Sequence, residues 1–269
     1  MLIDYHIHTN TSKDSSQTVF ECCQIAAEKG FKEICITNHH ELISVDNGTY
    51  DYALRDEEIN DLLKQAKEAK KKFGINVKVG VELGYYEGRE EELKIFAEKF
   101  PFDYIIGGIH FINGSPIATE EVFLDAGKEY VKEKYNEYFR LLKKAIEANF
   151  FDCVAHFELP RKETPNYEFN EYKDKAYECI KEMKKNNIGF ELNTGGWRRY
   201  HNEAYPRKEI LEMLKKAGIE KVTIGSDSHS TQELGYEIEK GLEILKNKGF
   251  NHICTFSKRK PSYHKICKK

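Results

Sequence analysis

The chain has no apolar run long enough to cross a bilayer. Its longest, such as YIIGGI and VTIGS, fall far short of the roughly 20 residues a spanning helix needs. It has no CxxC pair, which argues against a thiolate zinc site. The seven cysteines (Cys22, Cys23, Cys35, Cys153, Cys179, Cys254 and Cys267) are odd in number and irregular in spacing. Reduced thiols acting as small buried hydrophobes are expected, not a disulfide framework. No excess of one charge is present: the formal net charge is −3, which gives no reason to expect nucleic-acid or membrane partners. No Pro/Gly/Ser-rich linker, low-complexity tract or internal repeat divides the chain. No signal peptide is visible, because Asp4 and His6 interrupt the first residues, so a cytoplasmic location is expected. What remains is an ordinary globular composition, 40% hydrophobic and 32% charged over 269 residues.

Short β-rich runs alternate with longer amphipathic, charged runs. The strand-like runs are LIDYHIH, EICITNH, VKVGVEL, FDYIIGGIH, FDCVAHF, GFELNT and KVTIGSDSH, and HICTF reads as an eighth short strand. Several are nearly continuously apolar, as expected of strands buried on both faces. Helix-like stretches lie between them, at about 18–29, 56–72, 90–99, 128–149, 171–186, 207–216 and 232–248. Gly30, Gly74, Gly218 and Gly249 stand where helices stop. Strand–helix alternation without a linker predicts an α/β fold with a parallel sheet, closed into one barrel spanning 1–269.

The chemistry-bearing residues fall at the ends of the strand-like runs. His6 and His8, at i and i+2, share one face of a strand and need a common partner. The second run ends in Asn38, His39 and His40, the third in Glu82, the fourth in His110, and the fifth in His156 and Glu158. The sixth ends in Glu191 and Asn193, and the seventh in Asp227 and His229. In a parallel barrel these ends meet on one rim. Of ten histidines, only His201, His252 and His264 lie elsewhere. So many imidazoles and carboxylates together, without a cation, would be desolvated and mutually repelling. A multinuclear metal site removes the conflict. Imidazole with carboxylate, and no thiolate, suits Zn, Mn or Fe. Two ions roughly 3.5–4 Å apart clamp phosphoryl oxygens, which points to hydrolysis.

The ordered series HIH, TNH, GVELG, GGIHF, AHFELPRK, NTGGWRR and GSDSH resembles the PHP (polymerase and histidinol phosphatase) family, most closely its histidinol-phosphatase branch. The resemblance implies a single-domain, distorted (β/α)7 TIM-like barrel. Two to three divalent ions would sit at the C-terminal ends of its strands. It implies hydrolysis of L-histidinol phosphate to L-histidinol and phosphate in histidine biosynthesis. Carried over position by position, it places a first ion on His6, His8, Glu82 and Asp227. A second shares Glu82 and adds His110 and His156. A third takes His39, His229 and Asp14. Asp14 stands where many members have histidine, and Asn38 where the family often has aspartate. His40 is a competitor of His39 for the ligand role, and the alignment favours His39.

The expected chemistry is in-line attack on phosphorus by hydroxide bridging two ions, with Asp227 or His229 moving protons. Arg161 and Arg198, beyond strand ends, are the expected phosphate donors, with Lys162 and Arg199 as adjacent substitutes. Trp197 and Tyr200 are read either as pocket walls or as core packing. Glu158 and Glu41 are candidates to face the cationic part of the substrate. Two other readings stay open at this point: a PHP-type phosphoesterase for another monoester or for nucleotides, and a metal-binding regulatory protein without turnover. The oligomeric state is not readable.

Overall fold

The computed structural model describes residues 1–42, 44–45, 50–117, 119–123, 126–164 and 166–266; Cys267 lies outside them. Seven parallel strands form the sheet: β1 (Ile3–Ile7), β2 (Glu33–Ile36), β3 (Asn76–Gly84), β4 (Tyr104–Gly108), β5 (Cys153–Val154), β6 (Gly189–Asn193) and β7 (Val222–Gly225). Each pairs with its sequence neighbour in this series. The ring closes at one rim, where the Asp227 amide donates to His6 O at 2.8 Å and the His8 amide to Ser228 O at 2.9 Å. Its fifth strand, β5, is only two residues long.

Among the described residues, seven helices of two turns or more surround the sheet: α1 (Val19–Glu28), α2 (Asp56–Phe73), α3 (Glu90–Lys99), α4 (Lys128–Ala148), α5 (Lys173–Lys185), α6 (Lys208–Lys216) and α7 (Ile238–Asn247). Thr18 and Glu21 make a capping box that starts α1. Gly74, at φ 70°, ends α2 in the left-handed conformation that glycine adopts without strain. None of the described helices is long and apolar enough to cross a membrane.

The run HICTF forms a strand, as expected, outside the barrel sheet. His252–Ser257 pairs antiparallel with Lys260–Lys265 in a hairpin, β8 and β9, that seals the N-terminal end of the barrel. The Phe256 amide donates to the Tyr5 hydroxyl at 2.8 Å, and the Phe256 ring lies 4.8 Å from that of Tyr104. Arg259 in the turn donates to Phe150 O, and its amide donates to Asp103 O. With one end sealed, the opposite rim is the face left for chemistry.

The described cysteines are free and buried, as small core residues. Gly80 in β3 shows how tightly the barrel packs: a Cβ there would meet Tyr104 O at 2.5 Å and Cys35 Sγ at 3.0 Å. Gly80→Ala is therefore expected to cost about 2–3 kcal/mol by overpacking. Urea denaturation of both proteins checks it; an unchanged midpoint would contradict the packing argument.

Candidate metal centre

Among the described residues, three ligand groups form at the C-terminal rim, and His39, Glu41 and His110 make a fourth that overlaps them. Alternation along β1 points both His6 and His8 inward, and both are fully buried. His6 Nε2 and His8 Nε2 are 3.1 Å apart. They lie 3.2 and 3.4 Å from Glu82 Oε2, and 3.5 and 3.4 Å from Asp227 Oδ1. These spacings test the fit of an ion directly. Four ligands about 2.0–2.1 Å from a tetrahedral ion are separated by roughly 3.3–3.4 Å. Glu82 Oε1 makes a second group with His156 Nε2 at 2.7 Å and His110 Nε2 at 3.1 Å. Asp14 Oδ2 makes a third, 3.4 Å from His39 Nε2 and 3.2 Å from His229 Nε2. The second group offers three protein ligands, which leaves a coordination position for water or substrate, and a His8 nitrogen lies within reach of the third group as well.

Glu82 joins the groups. A two-residue strand, His39–His40, pairs with β3 in the register His39↔Glu82. This puts His39 Nδ1 2.9 Å from Glu82 Oε2. That oxygen is buried, and no donor among the described residues is in hydrogen-bond geometry with it. An orphaned buried carboxylate oxygen ringed by imidazole nitrogens fits a bound cation. His40 points the other way. Its ring stacks on Phe96 at 3.5 Å and its Nδ1 accepts from the Leu54 amide. Asn38 is buried and accepts from the Thr9 amide at 2.7 Å, so it steadies the loop after His8.

Charge in the centre is strongly coupled. Burial opposes a charge on each imidazole, yet carboxylates outweigh it at His6 (Glu191, Glu82, Asp227), His39 (Glu82, Asp14) and His110 (Glu41, Glu82). All three pKa values are raised above 6.5, that of His110 to about 9. His8 goes the other way, to about 3, because burial is joined by His229 and His39. Burial likewise opposes ionisation of Glu82 and Asp227, but the imidazoles hold both carboxyls well below the ordinary range. Such mutual neutralisation is what a cation would otherwise supply.

A cavity of about 780 Å³ opens onto the centre, lined by Asp14, His39, Glu82, His110, His156, Asp227 and His229 among others. Lys162, Arg198 and Arg199 bring positive charge to it, and Tyr52, Phe111 and Tyr205 give aromatic walls. The expected phosphate donors separate here. Arg161 is fully buried and does not line the cavity; its guanidinium donates to Glu203 and to Ala204 O, both at 2.7 Å. Arg198 does line it, but donates to Ser226 O at 2.9 Å and Asp227 O at 2.8 Å. It thereby clasps the loop that carries Asp227, whose φ of 53° is left-handed and strained for a non-glycine residue.

Other side chains also find different surroundings. Trp197 is buried in the core under the Lys240 ammonium, Tyr200 is 94% exposed, and neither lines the cavity. Glu158 is buried against Arg161, Arg207 and the Tyr172 hydroxyl, so it does not face a ligand. Glu41 lines the cavity, with Tyr86 and His110 on its carboxylate. A residue that sequence reasoning assigned no role, Glu191, lies 2.7 Å from His6 Nδ1. The only signal for it was its place at a strand end.

A parallel barrel with clustered imidazoles and carboxylates at its C-terminal rim defines a candidate metal-dependent enzyme of the TIM-like class. The PHP domain model matches residues 4–195, and the chain belongs to that family. A Clostridium acetobutylicum protein described as "Probable histidinol-phosphatase" is 30% identical, over 98% of this chain and 100% of its own. The "Histidinol-phosphatase" of Lactococcus lactis is 25% identical over 95% of this chain and 94% of its own. The fold matches a solved Lactococcus lactis histidinol phosphate phosphatase with TM-score 0.83 and 23% identity, over 97% of this chain and 98% of that one. That protein was crystallised with zinc, L-histidinol and phosphate.

Proposed function

We propose that this protein is a histidinol-phosphatase, hydrolysing L-histidinol phosphate to L-histidinol and phosphate. The observation that carries the reading is the set of overlapping ligand groups around Glu82, in a cavity lined by Lys162, Arg198 and Arg199 and walled by aromatic rings. Full-length relatives bearing that name, one at 30% identity, support it. Two to three divalent ions, Zn, Mn or Fe, would be held by His6, His8, Glu82 and Asp227, by Glu82, His110 and His156, and by Asp14, His39 and His229. When bound, they lower the pKa of water and neutralise charge on phosphoryl oxygens.

The chain's own residues do the rest. Lys162 and Arg199 orient the phosphate, while Arg198, whose Nε lies 3.2 Å from Glu233 Oε1, holds the Asp227 loop. Asp227 Oδ1 belongs to the ligand set, and Oδ2, which accepts from Asn193 Nδ2 at 3.2 Å, is the atom that handles the water proton. His229, at the cavity mouth, is the second proton-handling group. Tyr52, Phe111 and Tyr205 offer faces on which an imidazole stacks. A cytoplasmic location goes with this reading.

The test is phosphate release by metal-stripped protein reloaded with Mn, Zn or Fe, on L-histidinol phosphate beside sugar and nucleotide monophosphates. A strong preference in kcat/KM for L-histidinol phosphate is expected. Slow release from every ester alike would remove the named substrate. Arg199→Ala and Lys162→Ala are each expected to lower kcat/KM about tenfold, mainly through KM, as loss of a charged hydrogen bond does. An unchanged KM in both would remove their phosphate role.

A further inference from the structure

We infer that two buried carboxylates, Glu191 and Glu41, are positioning residues that decide which nitrogen His6 and His110 offer to the ions. The inference rests on the reading of those two histidines as ligands and concerns groups behind them.

An imidazole has two nitrogens, and a neutral ring carries a proton on only one. His6 turns Nε2 toward His8, Glu82 and Asp227. Its Nδ1 faces Glu191 Oε1 at 2.7 Å. An ionised carboxylate only accepts, so Nδ1 keeps its proton and the Nε2 lone pair is free for an ion. His110 repeats the construction. Its Nε2 faces Glu82 Oε1 at 3.1 Å, and its Nδ1 faces Glu41 Oε1 at 2.5 Å.

Both carboxylates are held from behind. Glu191 Oε2 accepts from the His156 amide and from Asn193 Nδ2, each at 3.1 Å. His156 sits at φ 22°, outside the usual backbone regions, so Glu191 also fixes the main chain of a ligand in the second group. Glu41 Oε2 accepts from the Tyr86 hydroxyl at 2.6 Å. Glu191 and Glu41 are 1% and 2% exposed, and a carboxylate buried so deeply is retained only when its oxygens are engaged.

A glycine makes room for each. A Cβ on Gly225 would collide with Glu191 Oε1 and with the His6 side chain. A Cβ on Gly84 would collide with the Glu41 carboxylate. The same trio of carboxylate, imidazole and glycine thus occurs twice, on different strands, behind two adjacent ligand groups.

The experiment titrates zinc into metal-free, full-length protein against a chromophoric chelator, for wild type, Glu191→Gln, Glu41→Gln and Glu33→Gln. Glu33 is a buried carboxylate at the opposite end of the barrel, bonded to Tyr5. Glu191→Gln and Glu41→Gln are each expected to weaken zinc roughly 10–100-fold with unchanged stoichiometry at saturation. Each is also expected to shift the visible band of the cobalt-loaded protein. Glu33→Gln is expected to keep wild-type affinity. Wild-type affinity in both site variants, equal weakening by Glu33→Gln, or loss of a zinc equivalent at saturation would each overturn the inference. Failure of wild type to bind zinc would instead overturn the metal reading beneath it. Should Glu191→Gln not fold, Glu191→Asp keeps the acceptor at shorter reach and is expected to show a smaller loss.

Discussion

Glu82→Gln is expected to empty the first two ligand groups and to lower phosphate release about a thousandfold. The fully buried Glu82 carboxylate is the hub of the centre. Its Oε2 lies 2.9, 3.2 and 3.4 Å from nitrogens of His39, His6 and His8, and its Oε1 lies 2.7 and 3.1 Å from those of His156 and His110. Glutamine keeps the shape. It removes the negative charge and turns an N–H₂ donor toward imidazole nitrogens that an ion would need. Ion-derived stabilisation of transition-state charge amounts to several kcal/mol. A loss of about 4 kcal/mol is a thousandfold in rate. Metal content by mass spectrometry, together with phosphate release, checks this. Full metal content with less than tenfold loss of activity would remove Glu82 from its place at the hub of the centre.

Much of this centre was legible because strand geometry is simple. A period of two puts His6 and His8 on one face, and parallel strands bring every C-terminal end to one rim. Gly74 marked a helix stop because its left-handed conformation suits glycine. What stayed illegible depends on long-range register. Strand spacing does not separate His39 from His40, and only the family resemblance favours His39; the pairing of His39 with Glu82, and the stacking of His40 on Phe96, show why the two differ. Arg161 and Lys162 are adjacent in one short 3₁₀ turn. That turn follows Glu158, held at φ 71°, so one side chain goes to the core and its neighbour to the cavity. No pattern of residue types reports such a twist. HICTF is legible as a strand, but its partner is not. An apolar run pairs as readily in an antiparallel hairpin as in a parallel barrel. Glu191 shared a strand end with the candidate ligands, and only distance shows that it stands behind His6.

The gap in thermal stability between metal-loaded and metal-free protein is expected to widen from pH 6.5 to pH 9. In the metal-free chain His6, His39, His110 and His229 have raised pKa values, that of His110 about 9. A group whose folded pKa is raised stabilises the fold fully below its unfolded value, here 6.5 for histidine. That contribution disappears as pH rises through the folded value. For His110 the rise from 6.5 to about 9 corresponds to roughly 3 kcal/mol. The carboxylates do not offset it: Asp14, Glu82 and Asp227 have lowered pKa values, and their contribution is complete well below pH 6.5. The metal-free protein should therefore lose stability across this window. Ion binding runs in the opposite direction. Each ion displaces protons from imidazoles, so apparent affinity climbs with pH until they are gone. Binding to the folded state adds about 4 kcal/mol per ion at free metal near a thousand times Kd. At roughly 2–4 °C per kcal/mol for a chain near this length, the Tm gap should exceed about 10 °C at the upper end of the window. Melting curves with EDTA and with excess manganese at pH 6.5, 7.5 and 9 check the slope. A gap that stays constant or narrows would mean that these imidazoles do not exchange protons for ions.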